Sequence, residues 1–256
     1  MNPQFTINLA KESDNAELLK MCEVPMQGDI LMSFERKPNY FVAASVQSEE
    51  TRVYTCRVNK SYKLVGIFCI GKRRVFINDS IQVQKYFSDL RIIPEFHGSS
   101  LLYRIYKYIF DQDLLESKIA QTIIFEKNIP MLDLIVKRKN NKNYNDKFQY
   151  YPAGIYNSHM ISLRGKLKLN RFTNCEIRRA SKDDVGVMQE FLIKQAKHKM
   201  FYPYYNFENL NGSYFNNIKI ENFYLAFQEN KLTGMAGIWD QKEFKQTKIV
   251  GYSSLF

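Results

Sequence analysis

The sequence predicts a mixed α/β fold, and three observations predict it. Short β-branched and aromatic runs, clearest at Val53 to Val58, Leu64 to Gly71 and Tyr86 to Ile93, have the length and composition of strands. Between such runs lie segments with apolar residues at helical spacing, as at Leu101, Leu102, Ile105, Tyr108 and Ile109. The two kinds of segment follow one another irregularly rather than in a regular βαβ winding, which points to a mixed sheet. At 256 residues the chain can bury a sizeable core, as one large domain or two smaller ones.

Taken in order, Phe5 to Leu9 reads as a first strand. Ser13-Asp14-Asn15 supplies N-cap chemistry with Glu17 in the first turn, predicting a helix to about Cys22. Val24-Pro25 and Gln27-Gly28-Asp29 end it. Asp29 to Phe34 and Pro38 to Ala44 suggest a second helical region, interrupted near Pro38. Two strands, Val53 to Val58 and Leu64 to Gly71, are joined by the turn Asn59-Lys60-Ser61, and Arg73 to Ile77 continues or restarts the sheet. After the strand at Tyr86 to Ile93 comes a helix from about Gly98 to Leu115. Thr122 to Glu126 is the next strand. Asn128 to Lys139, with Met131, Leu132, Ile135 and Val136, is a fourth helix whose basic end suits the helix dipole. Phe148 to Tyr151 and His159 to Leu163 read as closing strands.

Lys166 to Asn174 is basic and polar, as a linker would be, and the pattern then restarts. Cys175 to Arg179 reads as a strand, Ser181 with Asp183 and Asp184 opens a helix, and Asn222 to Phe227 and Leu232 to Trp239 are strands about a Glu229-Asn230-Lys231 turn. The starts AKESDNAELLKM and RASKDDVGVMQEFL share a layout of strand end, capped helix and irregular connection, a weak internal repeat.

Composition narrows the class. Apolar residues make up 45% and charged residues 25%, ordinary values for a soluble globular protein. No apolar run approaches the roughly 20 residues that span a bilayer, and MNPQFTINLAKESD has neither the basic region nor the apolar core of a secretory signal. A cytoplasmic protein without membrane insertion is the expectation. Four widely spaced cysteines show no CxxC pair, so reduced thiols are expected rather than a disulfide framework or zinc site, with Cys56 and Cys69 as buried filler. The net charge of +11 comes from lysines scattered along the chain, apart from Lys137-Arg138-Lys139 and the stretch Gly165 to Arg179. It reads as compositional bias, with a polyanionic cofactor explaining part of it, in preference to a nucleic-acid footprint.

The chain is organised around Gln82 to Gln112. A strand halted by Pro94 passes through Glu95-Phe96-His97-Gly98-Ser99-Ser100 into a helix, whose first N–H groups then face the turn and suit a phosphate. Asp89-Leu90-Arg91-Ile92-Ile93-Pro94-Glu95-Phe96-His97-Gly98 resembles the acyl-CoA-binding signature of the GNAT superfamily of N-acyltransferases. That signature is an apolar strand, Pro, one or two residues, an aromatic, then Arg/Gln-x-x-Gly-x-Gly/Ala opening a helix. Here His97 stands where Arg or Gln is expected, Ser100 where the first Gly is, and Leu102 where the second Gly or Ala is. The strand–helix order of residues 1 to 163 also resembles the family, and Asn128 sits where its Asn-x-x-Ala segment lies. Trp239-Asp240-Gln241, Phe244 to Thr247 and Gly251-Tyr252-Ser253 look like a subgroup with two GNAT-like units in tandem.

The resemblance implies a central, mostly antiparallel sheet flanked by helices over residues 1–165, and an incomplete second unit over 174–256. It implies a splayed V between two strands, with the pantetheine arm of acetyl-CoA (or another acyl-CoA) on the backbone of Leu90, Arg91 and Ile92. The pyrophosphate would lie on the N–H groups of His97, Gly98, Ser99, Ser100, Leu101 and Leu102, with the two serine hydroxyls and His97 adding hydrogen bonds or charge. The implied reaction is acyl transfer to a small-molecule or peptide amine, without a metal; homo-oligomer formation stays open. Acyl transfer needs the amine deprotonated, the carbonyl oxygen stabilised and the thiolate reprotonated. Asp89, at the entry to the motif, and Glu35, beside Arg36, are candidate bases, each with a plain structural alternative. Tyr86 and Tyr103 are candidate acids, while the family's tyrosine on the fourth helix is replaced by Leu134, Ile135 and Val136. The aromatic run Tyr204 to Asn209 lines an acceptor pocket, stacks on bases or, as such runs more often do, packs a loop over a core. A non-catalytic CoA-ligand-binding or interaction module is the alternative function.

Overall fold

The computed structural model describes residues 4–26, 30–112, 119–136, 150–157, 159, 161 and 174–252. Strand β1 (Phe5–Leu9) leads through a single 3-10 turn into α1 (Asn15–Glu23), and β2 (Ile30–Glu35) is followed by α2 (Tyr40–Ser45). Next come β3 (Glu50–Val58), β4 (Leu64–Ile77), β5 (Ser80–Ile92) and α3 (Leu101–Asp111), then β6 (Ala120–Thr122) and α4 (Ile129–Val136). The second half contains β7 (Glu176–Arg179), α5 (Val185–Ala196), β8 (Tyr202–Pro203), β9 (Phe223–Gln228), β10 (Lys231–Gly237) and β11 (Gln246–Tyr252).

The main sheet has the order β1-β3-β4-β5-β6, with the two residues of β8 added to the end of β4. Its pairs are antiparallel except β5–β6, which is parallel, so the chain has a mixed α/β architecture with a mostly antiparallel sheet. Asn78 and Asp79, both at positive φ, close the β4–β5 hairpin in the two-residue geometry that matches strand twist. The run Leu64 to Gly71 is buried at every position because the sheet is covered on both faces. On one face Val53, Ile67 and Cys69 meet Leu18, Met21 and Cys22 of α1 and Tyr40 and Ala44 of α2. On the other, Tyr54, Phe68 and Ile70 meet Leu101, Ile105 and Ile109 of α3. Each such fully buried side chain contributes about 1.5–3 kcal/mol by leaving water.

The second half builds a three-stranded sheet, β10-β9-β7, against α5. It shares a core with the first half, since Phe76 at the end of β4 packs with Met188, Leu192, Phe207 and Leu225. The last strand leaves that sheet altogether: β11 pairs with β2, Gln246 opposite Glu35 and Tyr252 opposite Ile30. This corrects the helix expected near Asp29 to Phe34. Ile30 to Glu35 alternates Leu31, Ser33 and Glu35 against Met32, Phe34 and, next in sequence, Arg36; a partner strand supplied from the far end of the chain selects the two-residue period. The strand expected over Thr122 to Glu126 ends at Thr122. Tyr150, Tyr151, His159 and Ile161 lie in no strand; the rest of those two expected closing strands, the basic end Lys137-Arg138-Lys139 expected for the fourth helix and nearly all of the linker fall outside the described residues.

Candidate active site

The site begins at a bulge in β5. Ile67 of β4 faces Arg91, but Cys69 faces Ser88, so β5 carries one residue more than its partner here. Asp89 absorbs the excess at φ 53, a left-handed conformation that aspartate tolerates better than most residues. Gly66 permits the close approach beyond it: a Cβ there would lie 3.2 Å from the Arg91 carbonyl oxygen. On its other edge β5 pairs with β6 only from Lys85 to Phe87. Past Phe87, among the described residues, no strand takes up that edge. Leu90, Arg91 and Ile92 therefore border an open wedge between β5 and the chain leaving β6.

Three elements converge on the Asp89 carboxylate. Arg36 Nη2 donates to Oδ1 at 2.6 Å and the Tyr40 hydroxyl to Oδ2 at 3.0 Å. The Gln47 amide lies against both partners: in one orientation it donates to Asp89 Oδ2 at 3.4 Å, and in the other its oxygen accepts from Arg36 Nη2 at 2.9 Å. Arg36 is 5% exposed and also donates to the Ala43 carbonyl at 3.3 Å. Burial by itself pushes the Asp89 carboxyl up, but the Arg36 charge and the bonds from Arg36 and Tyr40 outweigh it and hold the group below the usual carboxylate range. Burial, then the Asp89 charge, pushes the Tyr40 phenol well up. Cys69 Sγ lies 3.3 Å from the Tyr40 hydroxyl, and its thiol is raised chiefly by burial.

The other sequence candidates are placed differently. Glu35 faces Lys248 of β11, at 2.9 Å, and Lys37, at 3.7 Å; the Lys248 hydrogen bond is the main cause of its lowered carboxyl pKa. Tyr86 stands two strand positions before Ser88 with the Arg73 guanidinium 4.0 Å from its ring centroid, and burial raises its phenol. Arg73 also donates to Gln121 of β6 and lines a cavity of about 720 Å³ with Glu49, Lys72, Arg74 and Lys85. Tyr103 is on the exposed side of α3. In the Tyr204 to Asn209 run, Phe207 is buried in the second core and Tyr204 packs on Phe76, so these two aromatics serve packing.

At the turn, Pro94 to Phe96 forms one 3-10 turn, Gly98 takes φ 76, and α3 starts at Leu101. Half of the six amides of the cradle are used locally. His97 N donates to the Pro94 carbonyl, Ser99 N to the Phe96 carbonyl and Leu101 N to Ser99 Oγ. The amides of Gly98, Ser100 and Leu102 have no acceptor among the described residues. The Ser99 hydroxyl bonds to the Phe96 carbonyl, and His97 Nε2 donates to the Ile92 carbonyl at 2.8 Å. Leu101 is fully buried against the sheet, so only its backbone faces the turn. Arg91 sends its side chain the other way, to the carbonyls of Met21 and Val24 at the end of α1. Arg104, one turn into α3, reaches Ser100 Oγ at 3.3 Å and adds a positive charge that sequence reasoning missed.

The ribbon of β2 and β11 lies across the wedge. Arg36, just past β2, holds Asp89 on β5, and the Phe34 ring packs 5.6 Å from that of Phe125, three residues beyond β6. Arg36, Tyr40 and Gln47 carry no motif; only the run Glu35-Arg36 before Pro38 hinted at charge here.

No family model matches the chain, and no curated protein does. Solved structures of low likeness include an acetyltransferase from Trypanosoma brucei, 12% identical over 64% of this chain and all of that one, with a TM-score of 0.38. An aminoglycoside 6'-N-acetyltransferase from Acinetobacter baumannii is 9% identical over 62% of this chain and all of its own, at a TM-score of 0.42. Glucosamine-6-phosphate N-acetyltransferase from Arabidopsis thaliana is 11% identical over 51% of this chain and 89% of that one, at a TM-score of 0.37.

Proposed function

We propose that the chain is an acyl-CoA-dependent N-acyltransferase of the GNAT kind, moving an acetyl or other acyl group to a small-molecule or peptide amine. The observation that carries this is the open wedge: β5 separates from β6 after three paired residues, bulges at Asp89, and leads its bare edge through Pro94 to a helix N-terminus. An extended thioester arm fits the edge at Leu90 to Ile92 by adding hydrogen bonds where a strand is missing. The amides of Gly98, Ser100 and Leu102, with Arg104 beside them, suit a pyrophosphate. The fit is to half the cradle, since His97, Ser99 and Leu101 bond within the turn.

In this reading the ionised Asp89 carboxylate holds the incoming ammonium and takes its proton directly or through water. Glu35, on the ribbon, is the other candidate base. Tyr86, kept protonated by burial, can return a proton to the thiolate. The second half, residues 174–256, acts as an incomplete partner unit whose last strand completes the acceptor side. Titration of the protein with acetyl-CoA by calorimetry at low salt is the first test; no heat up to high micromolar concentration would sink the reading. Thiol release with polyamines, amino acids and peptides then tests turnover, expected to fall in Asp89→Asn.

A second reading, a non-catalytic CoA-binding module, draws on the saturation of Asp89 by Arg36 and Tyr40. It keeps the calorimetric binding and predicts no thiol release with any amine.

A further inference from the structure

The ribbon over the wedge carries an amine of its own. Continuing the β2–β11 register one step past Gln246 and Glu35 sets Lys245 beside Arg36, on the ribbon face shared with Phe34. That face spans the wedge, touching Asp89 at one end and Phe125 at the other. The segment is held firmly. Phe244 is buried, and the Gln246 side chain accepts from the Lys37 amide at 3.1 Å and donates to the Lys37 carbonyl at 2.8 Å. Lys245 is half-buried, and among the described residues no carboxylate lies within ion-pair distance of its ammonium. Its neighbours Lys242 and Lys248, by contrast, are exposed, and Lys248 is paired with Glu35. A partly buried ammonium without a counter-ion is costly, and the cheapest relief is to lose its proton. Burial first, then the Arg36 charge, lowers the pKa of this amine, while Asp89 acts the other way.

We propose that Lys245 is a self-acylation site, whose ε-amine takes the acyl group from a thioester held in the β5–β6 wedge of the same chain. This rests on the acyl-CoA reading of the wedge. In the step the neutral Nζ attacks the thioester carbonyl, a C–N bond forms and the C–S bond breaks. The proton lost from nitrogen passes to the leaving thiolate, giving an amide on Lys245 and free CoA thiol. Acylation removes the basic amine from the face over the wedge, so a modified chain presents a neutral, longer side chain where an external amine would enter.

The test uses the full chain with acetyl-CoA and no added amine, followed by intact mass and peptide mapping, beside the calorimetric titration. The expected result is one acetyl group on Lys245, formed at a first-order rate independent of protein concentration and faster as pH rises. The label is absent in Lys245→Arg and unchanged in Lys242→Arg. If acetyl-CoA binds but the wild-type map shows Lys245 unmodified, or labelled no faster than exposed lysines, self-acylation is overturned and the binding reading stands. The wild-type map decides this even if Lys245→Arg fails to fold. If acetyl-CoA does not bind, both are overturned.

Discussion

Two aspartate–arginine pairs in this chain look alike and do different work. Asp184 accepts from Arg178 at 2.6 and 2.8 Å, and from the Ser181 amide and hydroxyl at 2.7 and 2.9 Å. All of its donors come from within six residues, and the Arg178 side chain is 41% exposed. Asp89 takes Arg36 and Tyr40 from 53 and 49 positions away, and Arg36 is 5% exposed. The first pair caps a helix and could form in an isolated fragment. The second joins β2, α2 and the bulged strand, and exists only when the sheet and both its flanking segments are assembled. Water screens the Arg178 guanidinium of the first pair, whereas the Arg36 guanidinium of the second is enclosed.

The largest effect should follow from breaking the distant pair. Arg36→Met leaves an ionised carboxylate buried without its counter-ion and should cost about 3–5 kcal/mol in urea unfolding. Asp184→Ala removes a cap and should cost about 1–2 kcal/mol. If the two losses are equal, the distinction between local and tertiary pairing is wrong.

The pH dependence sharpens it. Both carboxyls have folded pKa values below their unfolded ones, Asp89 through Arg36 against its burial and Asp184 first through the Arg178 hydrogen bond. Each therefore contributes stability that is present above an unfolded aspartate's value of about 3.9 and is lost as pH falls through the folded value. Melting temperature should drop steadily on acidification below about pH 5, and Asp89→Asn should flatten that drop, since asparagine does not titrate. An unchanged acid slope in the variant would show that Asp89 is not the group responsible.

The smallest effect on stability belongs to the turn. Gly98→Ala forces a side chain into a left-handed conformation at a cost of about 1 kcal/mol, with open space around the new Cβ. Its effect on the acetyl-CoA titration should exceed its effect on melting. Unaltered binding would separate the Gly98 backbone from ligand recognition.

Much of the architecture was legible because its signals are local. Ser181 with Asp184 and the apolar spacing of Leu101, Ile105 and Ile109 each depend on residues within a few positions of one another. Pro94 and Gly98 likewise mark the strand-to-helix turn in the sequence itself. Ile30 to Glu35 was not legible, since its six residues fit either period until β11 arrives; Lys248 meets Glu35 across 213 positions. Nor was the state of the candidate site. Asp89 could be picked out as a carboxylate at a motif's entry, but its occupancy by Arg36 and Tyr40, and the arrival of Lys245 over the same wedge, depend on how distant strands pair. Local propensity and turn chemistry act through neighbouring dihedrals and can be read in sequence. Pair register and burial depend on which remote segment fills the remaining edge, and only the assembled sheet decides that.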